Sequence, residues 1–299
     1  MNYIVSGANG LIGQAVSSQL ESLGHQVIRL SRSKHNRSTQ LNLAQDLIEP
    51  FIESLKDSEI NGFVHCAGVT PWSSSSPDWS EDIKMAQKVA AICSSLAIPK
   101  LVYTSGWNVY DMESSIPPFT EKAPTGPTTS YGESKLQVEA FFRESLPAQT
   151  VILRFASVYG PTQSSPGLIT NLLKSGFESG VLEISDSSCR RDYIYIDDAA
   201  VAVTSVITNS SFTSGIVNIG SGKSYAVMDI ADMLRSGFMA NNIMVDIRTP
   251  YVEQPDSPIR DNRLDITLAR SIGAIGELIR MEQGLQMCIE SRKEHEHIS

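Results

Sequence analysis

Two side chains four residues apart, Tyr131 and Lys135, have the types and the spacing needed for proton transfer. The segment from Tyr131 to Phe142 is predicted to be helical, and a four-residue separation places both side chains on one helix face. A free tyrosine titrates at roughly pH 10, and a neighbouring ammonium group lowers that pKa because it stabilises the phenolate. The pair can therefore serve as a general acid or base towards an alcohol or a ketone. Because such pairs also arise by chance in helices, a second signal is needed.

The second signal is a glycine-rich turn near the N-terminus, which follows the strand-like run Tyr3-Ile4-Val5 and precedes a helical apolar pattern. Gly7 permits a tight turn, Gly10 lets the main chain approach a pyrophosphate, and Gly13 lets the helix pack on the strand. The N-terminus of that helix offers free N–H groups to an anion. A turn that is merely tight is the alternative. The pattern favours a dinucleotide site formed by Gly7, Asn9, Gly10, Leu11, Ile12 and Gly13.

Together the two signals predict a nicotinamide dinucleotide that exchanges a hydride while Tyr131 moves the proton. Lys135 can also bond the nicotinamide ribose. The end of the second strand, Leu30-Ser31-Arg32-Ser33-Lys34, has no acidic residue to bond the ribose hydroxyls. Ser31 and Arg32 could instead hold a 2′-phosphate, so NADP is favoured and NAD is the alternative. The other interpretation is that Arg32 and Lys34 form a solvated loop.

Short apolar runs alternate with helical patterns through the first half of the chain, which predicts βαβ units. The fold class is therefore α/β, with a Rossmann-like, doubly wound parallel sheet. Later in the chain, Asp197 and Asp198 are expected to cap a helix beginning at Ala199. We expect a dinucleotide-binding domain at 1–160 and about 192–220, and a smaller C-terminal substrate-binding lobe at 161–191 and 221–299.

Composition excludes several classes of protein. The chain has 299 residues with 33 Asp and Glu against 24 Lys and Arg, which disfavours a nucleic-acid partner because phosphate neutralisation needs clustered cations. No apolar run reaches the roughly 18 residues of a membrane helix, and no signal peptide is evident, so we expect a cytoplasmic protein that does not bind membranes. The four cysteines lie far apart and predict neither a metal site nor disulfides.

Further motifs extend from the first strand to at least Asp265. They are His65-Cys66-Ala67-Gly68, Tyr103-Thr104-Ser105, Val109-Tyr110, Arg154-Phe155, Val158-Tyr159-Gly160-Pro161, the run from Arg191 to Asp198, and Asn218-Ile219-Gly220-Ser221-Gly222. With the glycine turn and the Tyr131–Lys135 pair, they make the chain resemble the extended short-chain dehydrogenases/reductases of the NAD(P)-dependent epimerase/dehydratase family. The resemblance implies a bound nicotinamide dinucleotide, a nucleotide-sugar substrate, and a homodimer formed through a helix bundle that includes the Tyr131 helix.

The resemblance also implies roles for individual residues. Besides the glycine turn, Ser31, Arg32, Tyr131 and Lys135, the implied cofactor contacts are Asn42, Leu43, Cys66, Ala67, Gly68, Thr104 and Phe155. Ser157 and Arg191 are implied to bind substrate, with Arg191 holding a diphosphate. A salt bridge from Arg191 to Asp192 or Asp197 is the alternative. Trp72, Trp79 and Trp107 are expected near the pocket, either stacking on the substrate or packing.

Two departures from the family pattern concern the substrate side. Family members carry Ser or Thr where this chain has Gly106, so Ser105 is the candidate third catalytic residue, provided that the loop shifts; Thr104 is the alternative. Otherwise Tyr131 acts without a hydroxyl partner, or the substrate brings its own hydrogen-bond donor. Family members often carry Asn where this chain has Ser157, and they often carry an Arg near the position of Pro255. Both residues usually help to hold the nucleotide diphosphate. Arg260 or Arg263 could compensate.

We therefore predict an NAD(P)-dependent oxidoreductase or epimerase that moves a hydride to or from a hydroxyl/keto carbon of a nucleotide sugar, with Tyr131 as general acid/base. Trp107 and Asn108 stand where dehydratases of the family carry Asp-Glu, so 4,6-dehydration is disfavoured. Two alternatives remain open: a reductase of a non-sugar ketone or aldehyde, and a cofactor-binding protein with little catalysis.

Overall fold

The structure is a computed structural model that describes residues 1–33, 38–163, 165–184, 189–249 and 261–296. In chain order the strands are β1 (Asn2–Ser6), β2 (Gln26–Ser31), β3 (Ser38–Gln40), β4 (Gly62–His65), β5 (Leu101–Gly106), β6 (Thr150–Phe155), β7 (Ser157–Tyr159), β8 (Val181–Glu183), β9 (Arg190–Tyr195), β10 (Gly215–Ile219), β11 (Ser224–Ala226) and β12 (Asp246–Arg248). The helices are α1 (Leu11–Ser22), α2 (Glu49–Leu55), α3 (Ser80–Ser95), α4 (Ser130–Ser145), α5 (Leu168–Ser179), α6 (Ile196–Thr208), α7 (Val227–Ala240), α8 (Thr267–Ser271) and α9 (Met281–Glu296), with a 3₁₀ helix at Trp107–Val109.

Seven strands form one parallel sheet in the order β10-β6-β5-β4-β1-β2-β3. The chain runs outward from β1 in both directions, so the strand order reverses between β1 and β4. In sheets of this kind ligands bind beyond the carboxyl ends of the strands, at that reversal. The predicted doubly wound parallel sheet is confirmed, and it directs attention to the loops after β1, β4 and β5.

Helices cover both faces of the sheet, which explains why its strands read as continuous apolar runs. Every residue of β5 and β6 is buried. Neighbouring residues point to opposite faces: Val102 packs in the core beneath α1 and α6, whereas Tyr103 packs in the core beneath α3 and α4. The sheet is thus a fixed platform on which α4 carries Tyr131 and Lys135.

A third apolar core lies in the later part of the chain, where α5, α7 and α9 pack around Leu172, Leu234 and Leu285. Two small sheets, β11-β9-β7 and β12-β8, accompany it. Leu264 and Ala269 pack instead on the core beneath α1 and α6. The exact domain boundaries stay a prediction.

One local prediction is wrong. Helix α6 begins at Ile196, after an extended Tyr195, so Asp197 and Asp198 lie within its first turn instead of capping a helix at Ala199. The Asp198 carboxylate accepts a hydrogen bond from the Ile279 main-chain N–H at 2.9 Å, a partner that lies far away in the sequence. Among the described helices, none combines the length and the apolar character needed to cross a membrane.

Candidate active site

The glycine turn after β1 has the close contacts that only glycine permits. Gly7 has φ +68°, and a Cβ there would lie 2.6 Å from the Ala67 main-chain nitrogen. A Cβ at Gly13 would lie 2.2 Å from the Gly7 carbonyl oxygen. Gly10 precedes α1 and supplies no side-chain cap, so the first N–H groups of α1 can donate hydrogen bonds to an anionic ligand. The turn thus has the main-chain geometry of a phosphate cradle.

The end of β2 lies beside this turn. Asn9 Nδ2 donates to Ser31 Oγ at 2.9 Å, and Ser31 Oγ donates to the Ser33 carbonyl. The Arg32 side chain is exposed, and Lys34 lies outside the described residues. The Ser31 hydroxyl therefore has hydrogen-bond partners within the protein.

The loop after β3 contains Asn42 and Leu43. The Asn42 main-chain N–H donates to Asp46, and its side-chain oxygen accepts from the Ala44 N–H at 3.0 Å. Leu43 is buried in the core beneath α3 and α4. Both residues thus stabilise their own loop, and the structure leaves their implied contact with adenine as a prediction.

Tyr131 lies in the first turn of α4, where Thr129 caps the helix by accepting from the Gly132 N–H at 3.1 Å. Lys135 Nζ lies 5.5 Å from the centre of the Tyr131 ring. Burial lowers the pKa of Lys135, but the Tyr103, Tyr131 and Asp82 side chains around it raise the pKa by more, and the net shift is upward. The lysine therefore keeps a buried positive charge against the Tyr131 ring.

Asp82 of α3 is a site residue that the sequence analysis missed. Its side chain is buried, and its Oδ2 lies 3.6 Å from Lys135 Nζ. The same carboxylate accepts from the Val69 N–H at 2.7 Å and from the Ser134 hydroxyl at 2.8 Å. A signal was present, because the buried residues of α3 include Asp82, Met85, Ala86 and Val89, and this spacing places an acid on the apolar face.

The loop after β4 brings the motif Cys66-Ala67-Gly68 between the glycine turn and the lysine. A Cβ at Gly68 would lie 2.4 Å from Lys135 Nζ, so a side chain there would displace the ammonium group from its present position. Burial raises the pKa of Cys66 to about 12, which keeps its thiol neutral. These residues lie where a dinucleotide would pass from the glycine turn to Tyr131.

The structure directs Ser105 away from this group. Its hydroxyl donates to Glu139 Oε1 at 2.6 Å, and Arg154 binds the same carboxylate through Nε at 3.0 Å and Nη2 at 2.6 Å. Thr104 Oγ1 donates to the His65 carbonyl at 3.2 Å. Ser105 therefore belongs to a buried network that joins α4 to β5 and β6. No described contact joins its hydroxyl to Tyr131, and its catalytic role stays a prediction.

The predicted substrate residues lie on the later strands. Arg191 Cζ lies 5.8 Å from the centre of the Trp107 ring, so the arginine stacks on the 3₁₀ helix. Among the described residues Arg191 forms no salt bridge with Asp192; that carboxylate accepts from the Ser221 and Gly222 N–H groups instead. Ser157 lies in β7, opposite Tyr193.

The remaining candidates have varied surroundings. Phe155 ends β6 and is buried in the core beneath α1 and α6. Trp79 packs edge-on against Tyr131 with ring centres 6.0 Å apart, whereas Trp72 is exposed. Arg263 Nη2 donates to the Pro117 carbonyl at 3.4 Å. Pro255 and Arg260 lie outside the described residues.

Known proteins resemble the chain in both sequence and structure. A UDP-glucose 4-epimerase from Azospirillum brasilense is 26% identical over 264 residues, which cover 77% of this chain and 76% of the relative. A UDP-glucose 4-epimerase from Corynebacterium glutamicum is 25% identical over 263 residues, covering 79% and 80%. The solved UDP-glucuronic acid 4-epimerase from Bacillus cereus, in complex with UDP-glucuronic acid and NAD, superposes with a TM-score of 0.81 at 21% identity and covers 99% of this chain and 100% of its own.

The family assignment rests on a match that covers most of the chain. The sequence model of the NAD dependent epimerase/dehydratase family matches residues 3–220. That range includes the glycine turn, Asp82, the Tyr131–Lys135 pair and Arg191. The chain belongs to the NAD dependent epimerase/dehydratase family.

Proposed function

We propose that this protein is a nucleotide-sugar epimerase that uses a bound nicotinamide dinucleotide and Tyr131 as general acid/base. The observation that carries the proposal is the buried, charged Lys135 beside the Tyr131 ring, at the sheet edge that also bears the glycine turn. Epimerisation is favoured over net reduction because the relatives named above are 4-epimerases.

The residues present fit a dinucleotide. At Gly7 and Gly13 a Cβ would collide with main-chain atoms of the turn, and at Gly68 it would meet the Lys135 ammonium group. The absence of side chains at these positions leaves room for the turn and for the lysine. The pyrophosphate would bind the first N–H groups of α1, and the nicotinamide ribose would bind Lys135. When bound, the nicotinamide supplies hydride exchange with the substrate carbon.

Proton transfer is carried out by Tyr131, with Lys135 and Asp82 beside it. The Tyr131 hydroxyl accepts the proton of the substrate alcohol when the carbon is oxidised and returns it when the ketone is reduced. The Lys135 charge favours the anionic form of the phenol during this exchange. Asp82 fixes the position of that charge, since it contacts Lys135, the Ser134 hydroxyl and the Val69 N–H together.

We propose NAD as the cofactor. The family is NAD dependent, and the Ser31 hydroxyl already has partners within the protein in Asn9 and Ser33. The preference for NADP stays a prediction that rests on the exposed Arg32. Comparing the affinity of NADH and NADPH before and after Arg32→Ala tests it: we expect the variant to change neither affinity more than about twofold, because an exposed charge contributes little. A selective loss of NADPH binding would reinstate NADP.

We propose that a nucleotide sugar is held with its diphosphate against Arg191, which presents a fork of N–H donors suited to phosphate oxygens. The stacking of Arg191 on Trp107 supports this, because it holds the arginine between the later strands and the 3₁₀ helix. The homodimer, the cytoplasmic location and the domain boundaries stay predictions.

The test uses the purified full chain. Mass spectrometry after denaturation identifies retained nicotinamide nucleotide, and UDP-glucose, UDP-glucuronic acid and UDP-N-acetylglucosamine are incubated with the protein and separated from their epimers by chromatography. We expect retained NAD and conversion of at least one sugar into its epimer. A protein that retains no nicotinamide nucleotide, or that only reduces added ketones with net consumption of cofactor, would contradict the proposal.

A further inference from the structure

At the end of β5 the chain lacks a side chain where it turns towards the site. Gly106 is extended, with φ −148° and ψ 165°, a conformation that any residue can adopt. A Cβ added at Gly106 would lie 3.3 Å from Asn108 Oδ1. The Asn108 side chain therefore folds back over Gly106, and its amide occupies the space that a side chain at position 106 would enter.

Asn108 is flanked by residues of the proposed site. Its carbonyl packs so closely on the first turn of α4 that a Cβ at Gly132, next to Tyr131, would lie 2.4 Å from it. On its other side, the Trp107 ring stacks with Arg191. The 3₁₀ helix thus lies between the acid/base residue and the arginine proposed to bind diphosphate, with Asn108 at its centre.

The Asn108 amide has no partner within the described part of the chain. It is half-buried, and no described residue forms a hydrogen bond with it. An amide has two N–H donors and one acceptor oxygen, and a half-turn about its last bond exchanges their positions. Because no described residue holds this half-buried amide, its N–H donors are free to turn towards a bound ligand.

Resting on the proposed function, we propose that Asn108 Nδ2 donates a hydrogen bond to the substrate oxygen that exchanges its proton with Tyr131. When the hydride adds to the carbonyl carbon, the electron pair of the C=O bond moves to this oxygen, which then takes the Tyr131 proton. A second donor stabilises the charge that develops on the oxygen. Asn108 would be a catalytic residue that supplies the donor which Gly106 cannot.

The test compares four variants with the wild type at saturating nucleotide sugar. Asn108→Ala removes the donor, and Asn108→Asp keeps the shape but replaces the donor by an acceptor. Gly106→Ser combined with Asn108→Ala places a hydroxyl in the vacated space. Asn171→Ala removes an exposed amide on α5 and is the matched control. Thermal unfolding and retained nicotinamide are measured for each variant.

We expect Asn108→Ala and Asn108→Asp to lower kcat by about 100-fold, the effect of removing one such donor, with nicotinamide retention unchanged. The double variant should recover at least tenfold of the loss, and Asn171→Ala should match the wild type. A kcat within twofold of wild type in Asn108→Ala, or a loss that the serine does not reverse, would overturn the role of Asn108 while leaving the proposed function intact. A wild-type protein without hydride exchange would overturn both.

Discussion

The glycine turn and the 3₁₀ helix Trp107–Val109 border the same edge of the sheet, yet their glycines meet very different neighbours. At Gly7 and Gly13 a Cβ would lie 2.6 and 2.2 Å from main-chain atoms. At Gly106 the nearest atom would be a side-chain oxygen, 3.3 Å away. Main chain in a packed turn cannot yield cheaply, whereas an amide can rotate aside.

The difference in what surrounds these glycines distinguishes the region proposed to bind the cofactor from the region proposed to bind the substrate. The proposed cofactor side has Gly7 and Gly13, where a Cβ would collide with main-chain atoms. The proposed substrate side has Gly106 at the end of β5, followed by Trp107 and Asn108 in the 3₁₀ helix. We infer that binding of the dinucleotide depends on the first region and that contacts with the substrate depend on the second.

The largest effect is expected where the two regions meet, in the buried network of Ser105, Glu139 and Arg154. Glu139→Gln should lower the free energy of unfolding by about 3–5 kcal/mol, because it leaves the buried Arg154 charge uncompensated. Denaturant unfolding measures it. Glu53→Gln, in an exposed pair with Lys56, is the control and should be neutral. A loss below about 1 kcal/mol would mean that the network does not anchor α4.

The second prediction compares an alanine substitution in the glycine turn with one at Gly106. Gly13→Ala should destabilise the fold by about 1–3 kcal/mol through overpacking and should abolish retention of nicotinamide nucleotide. Gly106→Ala should leave both properties unchanged, since Asn108 can move. Thermal unfolding and nucleotide content measure the two variants side by side. Equal tolerance at both positions would remove the distinction between the regions.

The smallest effect concerns Asp82, which lies on the cofactor side. Asp82→Asn removes one of the groups that raise the pKa of Lys135, so the lysine should lose its charge under less alkaline conditions. We expect the alkaline limb of the pH–kcat profile for sugar oxidation to move to lower pH by about one unit, with nucleotide retention maintained. Asp78→Asn, an exposed acid near the start of the same helix, is the control. An unchanged profile would reduce Asp82 to a structural role.

Elements with strong local periodicity could be predicted from the sequence, and those defined by distant partners could not. The run Tyr3-Ile4-Val5 and the glycine turn carry their own signals, so β1 and the cradle were predicted. β7, β11 and β12 have three residues each, too few for a periodic pattern. The start of α6 was misplaced because the acid expected as a cap pairs with Ile279.

The same reasoning applies to the site. Tyr131 and Lys135 were found because their spacing along one helix is itself the signal. Asp82 was missed because its partners, Lys135 and Ser134, come from another helix. Ser105 was expected to reach the site, but alternation along β5 turns its hydroxyl to Glu139. Asn108 reaches the space over Gly106 only because the chain coils into a 3₁₀ helix.

We propose that Tyr131 transfers the proton while the glycine turn holds the cofactor, and a single-turnover experiment tests both roles together. Wild-type protein and Tyr131→Phe are mixed with the nucleotide sugar that they accept, and the absorbance of the bound nicotinamide is followed through a single turnover. We expect the variant to retain its nicotinamide nucleotide but to react at least about 100-fold more slowly. Turnover at the wild-type rate in Tyr131→Phe would contradict it.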